Sequence, residues 1–115
     1  MKRDMDLIRT ILLEVEKSPS PGGCRIEIPE RSREELYYNA QQAQDAGLID
    51  ARFLPNSDEF HVLRLTYAGH EFLDAARNDT LWVKAKEIVI KNTGTLTVEG
   101  VKIALSTLIK HAMGG

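Results

Sequence analysis

The chain of 115 residues has little of what marks several common protein classes. It contains a single cysteine, Cys24, which excludes an internal disulfide framework and an all-cysteine zinc site. No apolar run approaches the roughly 20 residues that cross a bilayer, and the first residues do not form a signal-peptide pattern. We therefore expect a cytoplasmic protein that does not contact the membrane.

Neither sign of charge is in large excess. Fifteen lysines and arginines stand against 17 acidic residues, which gives a net charge of −2. The chain is therefore not a polycation that would coat nucleic acid without specificity. With 43% hydrophobic and 28% charged residues it falls in the ordinary globular class, at a length that suits one domain or one domain with an extension.

The first third of the chain predicts a helix followed by a short strand. Apolar residues at helical spacing, from Ile8 to Val15, predict a helix over residues 5–16. The proline- and glycine-rich segment 18–23 should end it. Residues 24–28 then alternate, with Cys24, Ile26 and Ile28 on the apolar side, which predicts a half-buried strand.

A second helix and a hairpin should follow. Ser32 and Glu35 have the spacing of a capping box, an apolar stripe runs from Leu36 through Ala43, and Gly47 suits a left-handed helix end. Residues 48–54 and 59–65 have strand-type composition, and the segment between them consists of turn residues. This pattern predicts a β-hairpin.

Three more helices complete the predicted order. They should begin after Thr66, after Asn78 and at about Thr97. The apolar faces indicated for the first two comprise Gly69, Phe72, Leu73 and Ala76, and then Trp82, Ala85, Ile88 and Val89. We expect a core domain over residues 1–80 and a C-terminal helical extension over residues 81–115, packed on the core or forming a dimer interface.

Helix, short strand, helix and hairpin in this order are typical of a winged helix with additional C-terminal helices, an α+β fold. In that fold the helix before the hairpin can enter the major groove of DNA, and the hairpin turn forms the wing. One feature departs from the usual form: only residues 29–32 are available for the short helix that normally precedes the recognition helix.

Four segments carry a family resemblance: MKRDMDLIR at residues 1–9, AGLI at 46–49, LTYAGHEFLD at 65–74 and NDTLW at 78–82. In these segments the chain resembles the small bacterial and phage family known as domain of unknown function 2513. The resemblance implies a winged-helix-like fold and a bacterial or prophage origin. It implies no activity, because none is assigned to the family.

Signatures of catalysis are absent from the sequence. It has no nucleophile elbow, phosphate-binding loop or dinucleotide fingerprint. His70 and Asp74 share a helix face, but no second histidine completes a zinc motif, so His70 is expected to be a packing or capping residue. Cys24 is expected to be a small buried side chain and Trp82 a core residue. We therefore expect no enzyme, no metal and no cofactor.

The first functional hypothesis is a DNA-binding regulator that acts on double-stranded DNA. Amide side chains on the second helix would read base edges, and arginines there and on the hairpin would hold phosphates. Against it, residues 30–47 carry two arginines and four acidic residues. The residues assigned to this role are Arg33, Tyr38, Asn39, Gln41, Gln42, Gln44, Arg52 and Arg64.

The alternative hypothesis is a homodimeric protein-interaction module of the same fold without a nucleic-acid role. The last helix carries more apolar residues than one buried stripe can hide, which favours pairing with a second copy. The residues assigned to this interface are Val101, Leu105, Leu108 and Ile109. Binding to duplex DNA would favour the first hypothesis, and self-association without DNA binding would favour the second.

Overall fold

The computed structural model describes residues 1–18 and 23–114, and the chain divides into two compact units, Met1–His70 and Glu71–Gly115. Over the described residues the fold is α+β, with five helices and one two-stranded antiparallel sheet. Most of the predicted helix-ending segment, residues 19–22, lies outside the described residues. The elements are α1 Met5–Lys17, α2 Arg33–Asp45, β1 Ile49–Phe53, β2 Phe60–Leu65, α3 Tyr67–Ala76, α4 Asp79–Thr93 and α5 Val98–Ala112.

The two helices of the first unit begin and end where their capping residues predict. The carboxylate of Asp4 accepts the Leu7 backbone N–H at 3.1 Å, so Asp4 caps α1. Ser32 and Glu35 form the predicted capping box at the start of α2. At the other end of α2, Gly47 has φ of +78°, the left-handed conformation that glycine adopts without strain.

The predicted hairpin is confirmed. β1 and β2 pair antiparallel, with Ile49 opposite Leu65 and Phe53 opposite Phe60, and the register shifts between Asp50 and Ala51. The turn between the strands contains Asn56 at φ of +57°, a conformation that asparagine tolerates better than most residues.

Aromatic rings pack the turn end of the hairpin against α2. The Phe53 and Phe60 rings stack with centroids 5.7 Å apart, and the Tyr37 ring meets the Phe53 ring edge-on at 5.1 Å. The Tyr37 hydroxyl also donates to the Leu54 carbonyl at 3.1 Å. These contacts fix the orientation of α2 relative to the hairpin, because edge-on and stacked pairs add to the energy of burial.

The short strand predicted over residues 24–28 is reduced to a single bridge. Cys24 exchanges two backbone hydrogen bonds with Val62, at 2.8 and 3.0 Å, and the following residues have no strand pairing. The pairing stops because the Ile26 carbonyl accepts a hydrogen bond from the Arg33 guanidinium instead of from a strand backbone. The alternation itself holds, since Ile26 is buried while Arg25 and Glu27 are exposed.

Over its described residues, the core of the first unit is apolar apart from the amide of Asn39. Burying side chains of this size contributes about 1.5–3 kcal/mol each. Its most deeply buried large side chains are Leu7, Ile8, Ile11, Leu12, Leu36, Ile49, Phe60 and Val62.

The start of α3 is fastened to the end of α2. Thr66 caps α3 by accepting the Gly69 N–H at 2.9 Å, and its hydroxyl donates to the Gly47 carbonyl. Gly69 lies so close to the main chain that a Cβ atom there would stand 1.9 Å from the Leu48 carbonyl oxygen. Only glycine fits at that position.

In the second unit α4 and α5 pack together. Asn78 caps α4 and Thr97 caps α5, as predicted, and Gly94 ends α4 at φ of +80°. Trp82 is a buried residue, as expected, and its ring meets the Phe72 ring edge-on at 6.2 Å. The prediction that Ile88 is buried is wrong: 39% of it is exposed, because the buried stripe of α4 runs through Trp82, Ala85 and Val89.

Within residues 1–18 and 23–114, every helix is too short or too polar to cross a bilayer.

Candidate functional site

A DNA contact through α2 would use the outward face of that helix. Asn39 does not lie on this face, because its side chain is buried. Asn39 is 1% exposed; its amide oxygen accepts the Asp4 N–H at 2.8 Å and its NH₂ group donates to the Glu35 carbonyl at 2.9 Å. The prediction that it faces outward is wrong, because position 39 falls on the same stripe as Leu36, Ala40 and Ala43. Asn39 joins the start of α1 to α2. Its helical spacing from Leu36 and Ala43 is enough to predict that it is buried.

Arg33 likewise serves the structure of the first unit. Its guanidinium donates to the Ile26 carbonyl and, at 3.3 Å, to the Asp58 carbonyl, and it lies 4.9 Å above the centre of the Phe60 ring. The Glu59 carboxylate is 3.9 Å away. Arg33 therefore connects α2 to the hairpin turn and is turned away from any ligand on the outer face.

Arg31, which lies just before α2, is held by two carboxylates. Arg31 reaches Asp4 at 2.5 Å and Glu35 at 3.1 Å, and these contacts raise the pKa of its guanidinium. The pKa of Glu35 lies below its ordinary value, first because the Ser32 backbone N–H donates to it and second because Arg31 does. The positive charge of Arg31 is therefore neutralised inside the unit.

A second ion pair fastens the segment after the bridge to the hairpin turn. Arg25 donates two hydrogen bonds to Glu59, at 2.9 and 3.1 Å, and also contacts Glu27. The bond from Arg25 lowers the pKa of Glu59. Sequence reasoning missed this pair, since nothing in the spacing of residues 25 and 59 indicates that they meet.

The outward face of α2 consists of Glu34, Tyr38, Gln41 and Asp45. These four follow one another at the spacing of a single helix face, opposite Leu36 and Ala43. Glu34 and Asp45 are exposed, whereas Tyr38 and Gln41 are half-buried. The face therefore carries two negative charges and no positive one.

The remaining amides on α2 have backbone or neighbouring partners. Gln44 accepts a hydrogen bond from the Ala51 backbone N–H at 2.6 Å, at the point where the β1–β2 register shifts. The side chain therefore pairs a backbone donor beside the irregularity in the sheet. Gln42 accepts a long hydrogen bond of 3.5 Å from Arg3. Of the predicted base readers, Tyr38 and Gln41 are the ones that lie on the outward face.

A cleft of about 250 Å³ separates this face from the hairpin turn. The residues that line it include two tyrosines and the acidic residues Glu34 and Asp58. An acidic, aromatic cleft disfavours phosphate and suits uncharged or cationic groups. The lining residues are Met1, Glu34, Tyr37, Tyr38, Gln41, Ser57 and Asp58.

The hairpin presents Arg52 and Arg64 to solvent. Arg52 is exposed and lies opposite His61, which is also exposed. Arg64 forms an ion pair with Asp50 at 2.7 Å while 63% of its side chain stays exposed. These two cations can reach an external anion, unlike Arg33.

The predicted dimer interface on α5 needs a correction. Val101 and Leu105 are both fully buried within a single copy, because they form the inner stripe of α5, so they do not face a partner. Leu108 and Ile109 are half-buried. The exposed large apolar side chains of this unit include Val83, Ile88, Ile90, Ile103 and Met113.

Metal-binding chemistry is not indicated in the part of the chain that the structure describes. No group of three or more histidine, cysteine, aspartate or glutamate side chains there is placed to hold an ion. His70 is exposed rather than half-buried as expected, and Cys24 is partly rather than fully buried.

Comparisons with known proteins give a family without an assigned role. The chain is 33% identical over 119 residues to an uncharacterized protein of Haemophilus influenzae, an alignment that covers 98% of this chain and 99% of that protein. No solved structure matches the chain. The model of the family described as "Hypothetical protein (DUF2513)" matches residues 2–95. The chain therefore belongs to that family, as the four segments of its sequence indicated.

Proposed function

We propose that this protein is a homodimeric protein-interaction module on a winged-helix-like fold, and that α2 does not enter a DNA groove. The observation that carries the proposal is the outward face of α2, where Glu34 and Asp45 are exposed and none of the four residues is a cation; Arg3 contacts Gln42 on its flank. A helix that reads DNA needs cationic anchors around its base readers, because phosphate contacts supply most of the affinity.

The assignment to a winged-helix-like fold rests on the order of elements. α1, the Cys24 bridge to β2, α2 and the β1–β2 hairpin follow one another as they do in that fold. The Cys24–Val62 bridge lies where the short first strand of that fold would be. Between this bridge and α2 the chain forms no helix. Winged helices serve both as DNA readers and as pure interaction modules, so function must be argued from the surfaces.

Freeing the arginines near α2 for DNA would cost stability. Arg33 is held by two backbone carbonyls and the Phe60 ring, and Arg31 by Asp4 and Glu35. Removing either guanidinium would take a hydrogen-bond donor away from these partners, among them the part-buried Ile26 carbonyl, which Arg33 contacts. Both side chains are thus supports of the fold.

Pairing with a second copy is supported by the second unit. Val83 and Ile90 on α4 are each 48% exposed, and Ile103 on α5 is 59% exposed. Isologous packing of two copies would remove such side chains from water without a further partner.

Two measurements on the intact chain test the proposal. Light scattering from about 1 to 500 µM protein should give a mass near twice the 12.9 kDa of one chain. Fluorescence anisotropy of a labelled random duplex in about 20 mM salt should stay constant up to micromolar protein. A monomer at every concentration, or saturable DNA binding that weakens with salt, would overturn it.

DNA binding through the hairpin is the second candidate, and the exposed arginines Arg52 and Arg64 favour it. In this case the hairpin would hold phosphates while α2 stays outside the groove. The replacement Arg52→Ala should then weaken binding to all duplex sequences alike and reduce the salt dependence by about one phosphate contact. Gln41→Ala serves as the matched control, because it removes a polar side chain from α2 without changing charge.

A further inference from the structure

The cleft between α2 and the hairpin turn, which we call the α2 cleft, has walls that other contacts hold in place. On the α2 side, the Tyr37 ring meets the Phe53 ring edge-on, and its hydroxyl donates to the Leu54 carbonyl. On the hairpin side, the Asp58 carbonyl accepts a hydrogen bond from Arg33. The space of about 250 Å³ is therefore formed before a ligand arrives, which lowers the entropy cost of binding.

Two exposed carboxylates line the α2 cleft. In the part of the chain that the structure describes, no hydrogen bond or ion pair holds the side chain of Glu34 or Asp58. Arg25 and Arg33 lie beside the hairpin turn, but their guanidinium groups donate to other acceptors. The one cation among the lining residues is the α-ammonium group of Met1, so the lining keeps a net negative charge, and the cleft stays open with Met1 in place.

Tyr38 adds an aromatic surface that a cation can use. Its side chain is half-buried, and among the described residues its ring has no aromatic partner and its hydroxyl no hydrogen bond. Glu34 lies four residues before Tyr38, so ring and carboxylate are neighbours on one face of α2. A guanidinium can stack on such a ring while its N–H groups donate to a carboxylate.

We propose that a protein partner inserts an arginine side chain into the α2 cleft, against the Tyr38 ring and the carboxylates of Glu34 and Asp58. The inference names the partner chemistry of the interaction module proposed above and rests on it. The charge of the lining selects a cation, and a ring beside two carboxylates suits a planar guanidinium better than the point charge of lysine. Because the cleft is open at the surface, whereas small-molecule sites enclose most of their ligand, the cation should arrive on a partner surface.

Peptide binding to the full chain tests the site. The probe is a fluorescein-labelled peptide in which arginine alternates with glycine and serine, and fluorescence anisotropy at about 150 mM salt, which screens distant charges, measures its dissociation constant. Glu34→Gln and Asp58→Asn should each weaken binding by about fivefold, since each removes an exposed ion pair. Tyr38→Leu should weaken it by about threefold through loss of the ring. The same peptide with lysine in place of arginine should bind less tightly.

The matched control is Asp45→Asn. It removes the same charge from an exposed position of α2 that does not line the cleft, so it should leave the affinity for the arginine peptide unchanged.

Reversing the charges adds a result that loss of folding cannot mimic. The variant E34K/D58K should lose the arginine peptide and bind a peptide in which glutamate replaces every arginine. The variant E30K/D45K makes the same change in net charge at two exposed positions outside the cleft. It should keep its preference for the arginine peptide.

Equal affinity of the wild-type, E34Q and D45N chains, or no binding of the peptide up to about 1 mM protein, would overturn the arginine site and leave the homodimer and the absence of DNA binding as they are. A dimer that dissociates in E34K/D58K without peptide would make a second copy the occupant, which also overturns it. A wild-type chain that is monomeric or binds duplex DNA would overturn the proposed function, and this inference with it.

Discussion

At the scale of single residues, polarity was a poor guide to position. Residue type alone assigns Asn39 and Arg33 to DNA, because amides and guanidiniums are the side chains that read base edges. The helix period nevertheless put Asn39 among the apolar positions of α2, and the structure follows the period. A buried amide with both of its functional ends bonded is a structural element, and spacing identifies it better than residue type does.

This reassignment predicts a clear difference between two neighbouring positions. Asn39→Ala should lower the free energy of unfolding by about 2 kcal/mol, because the Asp4 N–H loses its acceptor and the Glu35 carbonyl its side-chain donor. Gln41→Ala, on the outward face of the same helix, should change it by less than about 0.5 kcal/mol. Urea unfolding monitored by circular dichroism measures both. Equal effects would mean that Asn39 does not join α1 to α2.

A second residue-scale prediction concerns how the stability of the fold changes at acidic pH. The pKa values of Glu59 and Glu35 are lower in the folded chain than in the unfolded chain. A lowered carboxyl pKa stabilises the fold above the unfolded value near 4.3, and this stabilisation is lost as the pH falls through the folded pKa.

Removing the main hydrogen-bond donor to Glu59 should therefore reduce the loss of stability as the pH falls. We expect the urea midpoint of the Arg25→Ala variant to fall less between pH 6 and pH 3 than that of the wild-type chain, since Arg25 is the first cause of the Glu59 shift. The control Lys17→Ala removes the exposed partner of Glu14 and should leave the slope as it is. Parallel slopes for all three proteins would refute the coupling.

At the scale of elements, the sequence predicted helices and turns well and sheet pairing less well. Capping residues and helix-ending glycines are local signals, so α1 and α2 begin and end close to the predicted residues, and α4 and α5 begin close to them. The segment 24–28 depended on a distant competitor, since Arg33 takes the Ile26 carbonyl that a strand would need. Tertiary contacts of this kind cannot be found from alternation alone.

The junction of α2 and α3 gives an element-scale prediction. Gly69→Ala should destabilise the chain by about 3 kcal/mol, because the new methyl group would collide with the Leu48 carbonyl, which backbone geometry holds in place. Gly94→Ala should cost only about 1 kcal/mol, since open space surrounds it and the cost there is that of the left-handed backbone. Thermal unfolding of the two variants compares these costs, and a smaller loss for Gly69→Ala would contradict the close approach.

At the scale of the whole molecule, the composition excludes some classes of function but does not identify the function of this chain. A net charge of −2 excluded nonspecific polycation behaviour, but it did not reveal that ion pairs within the first unit hold Arg25 and Arg31. The sequence predicts an apolar surplus near the C-terminus but places it on the wrong residues. Val101 and Leu105 are buried, and the exposed apolar side chains include Val83 and Ile90 on α4. Which stripe of a helix is exposed depends on the helix it packs against, and a single sequence does not contain that information.

Sedimentation velocity of the full-length chain with a labelled random DNA duplex, in about 20 mM salt, tests the proposed interaction module most directly, because one run measures both protein mass and DNA binding. We expect the protein to sediment at about twice the mass of one 12.9 kDa chain, while the duplex sediments as it does alone. A protein boundary at the mass of one chain, or a duplex that moves with the protein, would contradict the proposed function.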